Sequence, residues 1–77
     1  MDEKVAREVI DLAKSTYESM NKALIAIQTN CSESEFDRYR TAIAGILGHV
    51  LTDVLRPIYE EHVHLAPADM RPFLRTR

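Results

Sequence analysis

The segment TAIAGILGHVLT, residues 41–52, carries no formally charged side chain, although 29% of the residues in the chain are charged. A helix on the surface of a monomer places charged residues on its outward side. Here the residues on one side are large and those on the other side are small. The large ones are Ile43, Leu47 and Val50, and the small ones are Thr41, Gly45, Gly48 and Thr52. We therefore expect this segment to lie inside a helical assembly, with neighbours on both sides.

The two glycines favour close contact with another backbone. Each glycine in a helix interior costs about 1 kcal/mol relative to alanine, so an interaction that needs the missing side chain should offset this cost. The sequence predicts that Thr41, Gly45, Gly48 and Thr52 form an interface with a second subunit or a partner helix. The alternative is a weak spot that an exposed helix face tolerates.

A first helix is predicted at about residues 2–29, where the chain has no glycine or proline after Met1. Its apolar residues recur at spacings of three and four, the period of a packed helix. One row comprises Ala6, Ile10, Ala13, Tyr17, Met20, Leu24 and Ile27, and a second comprises Val5, Val9, Leu12, Thr16 and Ala23. The two rows together form an apolar face that is too wide for one partner helix to cover.

A short break separates this helix from a second one. Ser32 and Glu35 match a capping box, in which Ser32 accepts from the Glu35 amide and Glu35 reaches back to the Ser32 amide. Asn30 suits a left-handed residue at the end of the first helix. The second helix is expected at about residues 33–62 with a kink at Pro57, because an interior proline removes a backbone donor and clashes with the preceding turn. So short a connection favours an antiparallel helical hairpin.

A chain of 77 residues buries only about 60% of the surface that it exposes when unfolded, so small folds often need a disulfide, a metal or a partner. Cys31 is the single cysteine, which excludes an intrachain disulfide. We therefore expect an all-α fold, in which a hairpin at residues 1–64 dimerises into a four-helix bundle and residues 65–77 form an irregular basic tail with a short turn.

The net charge of -2 gives no long-range attraction for nucleic acid or anionic membranes. The acidic start is unlike a secretory signal peptide, and the longest uncharged run is shorter than the roughly 20 residues of a membrane helix. These features predict a cytoplasmic protein that does not enter membranes.

Two pairs of residues are candidate metal ligands. His49 and Asp53 lie one helical turn apart and could bind a metal, or Asp53 could orient His49 for acid–base chemistry. Alternatively, they belong to a chain of ion pairs with Arg56 and Glu60. Glu61 and His64 have the Glu-x-x-His spacing of di-iron helical bundles, which require two such motifs and two further glutamates. The alternative is an exposed helix end whose histidines meet the helix dipole.

The C-terminal segment offers a third type of contact. Arg71, Arg75 and Arg77, with Phe73 available for stacking, could contact nucleic-acid phosphates and bases. Three arginines near a terminus more often improve solubility. Nucleic-acid binding is therefore not expected, and no catalytic constellation is evident. The sequence favours a non-enzymatic interaction or regulatory module that is a homodimer with an unknown protein partner and no required cofactor, and a metal-binding bundle is the alternative.

Overall fold

The chain folds into helices joined by short turns. A computed structural model describes residues 1–74, and in this part of the chain there is no β-strand. Helix α1 spans Glu3–Asn30 and helix α2 spans Glu33–His49. A π-helical segment, Val50–Leu55, leads into helix α3, Arg56–Glu61. Two 3₁₀ turns follow at Val63–Leu65 and Arg71–Phe73. The prediction of an all-α fold with two long helices is confirmed.

Helix α1 has a side-chain cap at its start and ends without a left-handed residue. The Asp2 carboxylate accepts hydrogen bonds from the amides of Lys4 and Val5 at 3.1 and 3.3 Å. At the other end Asn30 stays helical, and its Nδ2 donates to the Ala26 carbonyl at 2.9 Å. Cys31 then adopts an extended conformation with φ −121° and ψ 174°. The prediction of a left-handed Asn30 is wrong, since no non-glycine residue from 1 to 74 has a positive φ.

The start of α2 follows the predicted capping pattern in part. The Ser32 hydroxyl accepts a hydrogen bond from the Glu35 amide at 3.2 Å, as an N-cap residue does. The Glu35 carboxylate accepts from the Ser32 hydroxyl at 3.2 Å, whereas the sequence predicted the Ser32 amide as its partner. Ser32 is thus confirmed as the N-cap of α2.

The second helical run absorbs Pro57 through a π-helical turn. In an α-helix the ring of Pro57 would clash with the carbonyl group of Asp53, four residues earlier. The wider turn changes the hydrogen-bond register, and the Arg56 amide donates to the Leu51 carbonyl, five residues earlier. Pro57 then occupies the first turn of α3, where its missing N–H has no cost. A change of hydrogen-bond register thus accompanies the proline, and the helical run continues from Glu33 to Glu61.

The π-helical segment adds one residue to the turn and so changes which side chains face the core. Leu47 and Val50 are half-buried on the side of the helical run that faces α1. Leu55 and Ile58 continue this buried side and are 7% and 4% exposed. The α-helical spacing would have continued with Val54, which is 39% exposed. The buried side therefore steps from Val50 to Leu55, five residues later.

The core is small and lies near one end of α1. Its buried residues are Ala6, Ile10 and Ala13 of α1, Leu55 at the end of the π-helical segment, Ile58 and Tyr59 of α3, and Ala66. The beginning of α1 contacts the end of the helical run, since the His62 Nε2 donates to the Met1 carbonyl at 2.7 Å. Further along α1, the Tyr17 hydroxyl donates to the Leu47 carbonyl at 2.8 Å. Two hydrogen bonds thus join the first part of the chain to the second helical run and the turn after it.

The first part of the predicted tail contributes to this core. Ala66 is 3% exposed, and Leu65, Met70 and Leu74 pack against the buried cluster. The Arg71 guanidinium holds the segment by donating to the carbonyls of Ala66 and His64 at 3.2 and 3.3 Å. Residues 65–74 therefore close the end of the core rather than extending away from it.

The molecule is elongated and exposes an unusually large surface. Its principal extents are 46 × 22 × 18 Å and its accessible surface is 5742 Å². A compact monomer of its mass, 8.8 kDa, would expose about 4,800 Å². Helix α1 has no buried residue after Ala13 and α2 has none at all, so both long helices keep much of their surface in water.

Candidate functional site

An exposed apolar surface runs along one side of both long helices. We call this surface the apolar face and define it by Val5, Val9, Leu12, Ile46, Val50 and Val54, of which Val9 and Val50 are partly buried against the core. Leu12 is 68% exposed, Ile46 48% and Val5 44%. Ile46 and Val50 are one turn apart, as are Val5 and Val9, so each helix contributes a continuous row. Large side chains that stay in water on both helices indicate a surface suited to a partner.

A groove lies in the apolar face between α1 and the π-helical segment. Its walls are Val9, Leu12, Ala13, Thr16, Val50 and Val54, all uncharged. The only polar side chain, Thr16, donates its hydroxyl to the Leu12 carbonyl at 2.9 Å, so it presents its methyl group at little polar cost. This groove can take an apolar side chain without leaving a charge or hydroxyl unpaired.

A second uncharged hollow continues along α1 from the same leucine. It is lined by Leu12, Ser15, Thr16, Ser19 and Met20. Leu12 therefore stands between two hollows and projects from the surface. The spacing of apolar residues in the sequence predicted that Leu12 and Val9 lie on the wide apolar face of α1. The sequence did not predict the groove, because its other wall depends on the π-helical turn.

The predicted small-residue interface is exposed and lies on another side of α2. A Cβ atom added at Gly45 or Gly48 would meet no heavy atom within 4 Å, apart from its own helix backbone and chain neighbours. Gly48 follows Ile46 by two residues, which is about 200° around a helix, and Thr41 has the same relation to Tyr39. Thr52, Thr41 and both glycines are exposed. These four residues make no close packing within their own chain, and their role as an interface stays a prediction.

His49 and Asp53 lie together on the exposed side of the helical run. The ring Nδ1 of His49 donates to Asp53 Oδ2 at 3.2 Å, and both side chains are well exposed. A carboxylate that accepts from one ring nitrogen orients the histidine and leaves Nε2 free as a metal ligand. The pair thus supplies one oriented ligand per chain. Arg56 pairs with Glu60 at 3.7 Å, so the four residues of the alternative interpretation form two separate pairs along the helical run.

Glu61 and His64 are not brought together on one helix. Helix α3 ends at Glu61, and His62 leaves the helical conformation with φ −124° and ψ 70°. Glu61 forms an ion pair with the N-terminal amine of Met1, while the His64 ring donates to the Glu3 carboxylate. The hydrogen bond from His64, supported by the charge of Arg7, holds the pKa of Glu3 below its ordinary value. These contacts fasten the start of α1 to the turn after α3.

No three histidine, cysteine, aspartate or glutamate side chains from residues 1–74 are grouped so that they could hold a metal ion. A structural zinc site has four ligands, and a catalytic one has three from the protein. A metal site built from His49 would therefore need side chains from a second chain.

The structure describes only some of the residues considered for a nucleic-acid contact. Arg71 uses its guanidinium to bind backbone carbonyls, and Phe73 is 78% exposed. Arg75 and Arg77 lie outside the residues that the structure describes. The described part of the tail thus offers one exposed aromatic ring and one arginine that already has acceptors.

The long helical run is apolar enough to be compared with a membrane helix. Glu33–Glu61 spans 29 residues and includes an 18-residue window of mean hydropathy 1.2, of which 17% is buried. By length and composition it is one candidate membrane span, while core helices of soluble bundles meet the same criteria. The low burial adds to the evidence that this run has surface available for another molecule.

Comparisons of the chain with protein-family models, curated proteins and solved structures find no match.

Proposed function

We propose that this protein is a small, non-enzymatic interaction module that acts as a homodimeric helical bundle in the cytoplasm. In this proposal α1 and the helical run from α2 to α3 form an antiparallel hairpin, and two hairpins associate into four helices. The observation that carries it is the exposed apolar face, where Leu12 is 68% exposed and Ile46 48%. A contiguous exposed apolar patch, unlike single scattered apolar residues, is typical of an interaction surface.

The surface area supports the same proposal. The chain exposes about 950 Å² more than a compact monomer of its mass. A stable protein interface buries about 800 Å² on each partner. The excess is therefore the size of one side of a dimer interface. Oligomerisation is also a usual way for a domain this short to gain a sufficient core.

Native mass spectrometry combined with sedimentation equilibrium tests the proposal. We expect a species of twice the 8.8 kDa chain mass at micromolar concentration, with a monomer appearing only on dilution. A monomer throughout the micromolar range would contradict the proposal. If the dimer forms through another surface, the small-residue stripe remains exposed and can bind a helix of another protein. This stripe comprises Thr41, Gly45, Gly48 and Thr52.

The second candidate function is metal binding, and the hydrogen bond from His49 to Asp53 favours it. Two copies of the chain would supply two oriented histidine ligands, with solvent or Asp53 completing the site. Protein purified without chelator would then retain about one metal ion per dimer, and His49→Ala would abolish retention. A chelator should lower the stability of the metal-bound form. Metal-free protein that binds no added Zn²⁺ above the level of His49→Ala would contradict this candidate.

A further inference from the structure

We infer that the apolar face is the two-fold interface between copies of this chain, with Leu12 of each copy seated in the groove of the other. This inference rests on the proposed homodimer and deepens it by naming the contact surface. The groove walls are uncharged, and Leu12 projects beside them with 68% of its surface in water. A projecting apolar side chain next to an apolar groove is the pattern of knobs-into-holes packing.

The occupant is identified as a second copy because the face is complementary to itself. In a two-fold dimer the same patch meets on both chains, so one patch must contain both the projection and the hollow that receives it. Leu12 is such a projection and is also a wall of the groove. When it enters the partner groove, the Leu12 side chains of the two copies touch, and the two-fold axis passes close to them.

Charge and area agree with this occupant. The residues that line the groove and the hollow that continues along α1 are all uncharged, so an apolar surface of a second copy can cover them. The excess surface of about 950 Å² matches what one chain buries in a standard dimer.

The π-helical segment is what supplies the second wall of the groove. Because the buried side steps from Val50 to Leu55, Val54 is left 39% exposed and lines the groove opposite α1. With an uninterrupted α-helical spacing, Val54 would instead continue the inward row. The register change thus moves an apolar side chain from the interior of the chain to the interface.

A charge placed at the centre of the interface provides the first test. Leu12→Glu should raise the dimer dissociation constant by more than about tenfold, as sedimentation equilibrium measures. Its helicity by circular dichroism should equal that of the wild type diluted to monomer, because Leu12 lies mostly in water in the single chain. Ile25→Glu is the matched control: Ile25 is also on α1 and 62% exposed, but it lies about 140° around the helix from Leu12. It should leave the dissociation constant unchanged.

Cysteine cross-linking distinguishes this interface from the small-residue stripe. In a Cys31→Ser background, Leu12→Cys should form covalent dimers under mild oxidation or with a short bismaleimide, while Gly48→Cys should not. A dimer in which Gly48→Cys cross-links and Leu12→Cys does not would overturn the inference but keep the homodimer. A wild-type monomer would overturn both. A monomer that binds vesicles of phosphatidylcholine and phosphatidylglycerol through Leu12 would assign the face to lipid and also overturn both.

Discussion

The hydroxyl group of Tyr17 on α1 donates a 2.8 Å hydrogen bond to the backbone carbonyl of Leu47, three residues before the π-helical segment begins. This bond joins the two long helices at the edge of the small core. The Leu47 carbonyl, which lies close to the change of helical register, therefore accepts from a side chain of the neighbouring helix.

Removing this hydroxyl should weaken the contact between the helices. Tyr17→Phe is expected to lower the free energy of unfolding by about 1 kcal/mol, a usual value for one hydrogen bond. For a domain of this size that corresponds to a fall of about 4–8 °C in Tm. Thermal unfolding followed by circular dichroism measures it. Tyr39→Phe, at a half-exposed tyrosine on α2, is the control and should change the stability by less than about 0.5 kcal/mol.

Deleting one residue from the π-helical segment should be tolerated when the proline is also replaced. Removing Thr52 reduces the spacing of Val50 and Leu55 from five residues to four, which an α-helix accommodates. The Pro57→Ala change removes the steric reason for the wide turn. We expect the double variant to unfold within about 1 kcal/mol of Pro57→Ala alone.

The control for this deletion removes Ala44 from α2 in the same Pro57→Ala background. That deletion rotates everything after it by about 100° and takes Leu55, Ile58 and Tyr59 off the core side. Since burial of each large side chain contributes about 1.5–3 kcal/mol, this variant should lose its cooperative unfolding transition. Equal stability of the two deletion variants would show that the register of the second helical run is not fixed by the core.

Substituting the two glycines of α2 should change Tm in opposite directions for the two candidate interfaces, the apolar face and the small-residue stripe. Because an added Cβ meets no atom within 4 Å at either position, Gly45→Ala and Gly48→Ala should each stabilise the helix by about 0.5–1 kcal/mol. If Leu12 lies at the two-fold interface, Tm should rise and the dimer should persist. Lower Tm together with dissociation would instead show that another backbone packs against the glycines. The double variant Gly45→Leu with Gly48→Leu tests the same point more strongly. If another backbone packs against the glycines, native mass spectrometry should show this variant as a monomer.

The contact between His64 and Glu3 should make stability depend on acidity. The His64 hydrogen bond lowers the pKa of Glu3 relative to an unfolded chain. A depressed carboxyl pKa stabilises the fold above the ordinary glutamate pKa, and this contribution is lost as the pH falls through the folded value. Tm should therefore decrease more between pH 7 and pH 3 for the wild type than for Glu3→Gln. Glu18→Gln, in the middle of α1, should behave like the wild type.

Much of the helical architecture is readable from the sequence because its signals are local. The three-and-four spacing of apolar residues predicted α1 and α2, and Ser32 marked the start of α2. The prediction of a left-handed Asn30 was wrong. Its side-chain amide donates to the Ala26 carbonyl, and the helix ends at the extended Cys31 instead.

The register after Val50 could not be predicted from the apolar pattern. Both possible continuations of the buried side are apolar. The side could pass from Val50 to Val54 or from Val50 to Leu55, and either would bury a side chain of similar size. The steric demand of Pro57 and the packing against Ala6 and Ile10 decide between them, and the second of these is a tertiary effect. The groove beside Leu12 depends on that choice and was missed for the same reason.

The Glu61 and His64 motif shows a different limit of sequence patterns. The sequence predicted a helix only to about residue 62, so the Glu-x-x-His spacing of EEHVH, residues 60–64, crosses its expected end. In the structure α3 ends at Glu61, His62 leaves the helical conformation, and the chain after it places Ala66 in the core. Glu61 and His64 then find separate partners at the start of α1.

The single extra residue in the π-helical turn has a consequence for comparing this chain with its relatives. A helix that gains one residue by insertion keeps its later side chains in phase only if a widened turn takes up the addition. Relatives that lack a proline at position 57 can therefore be one residue shorter between Val50 and Leu55 and still bury the same core.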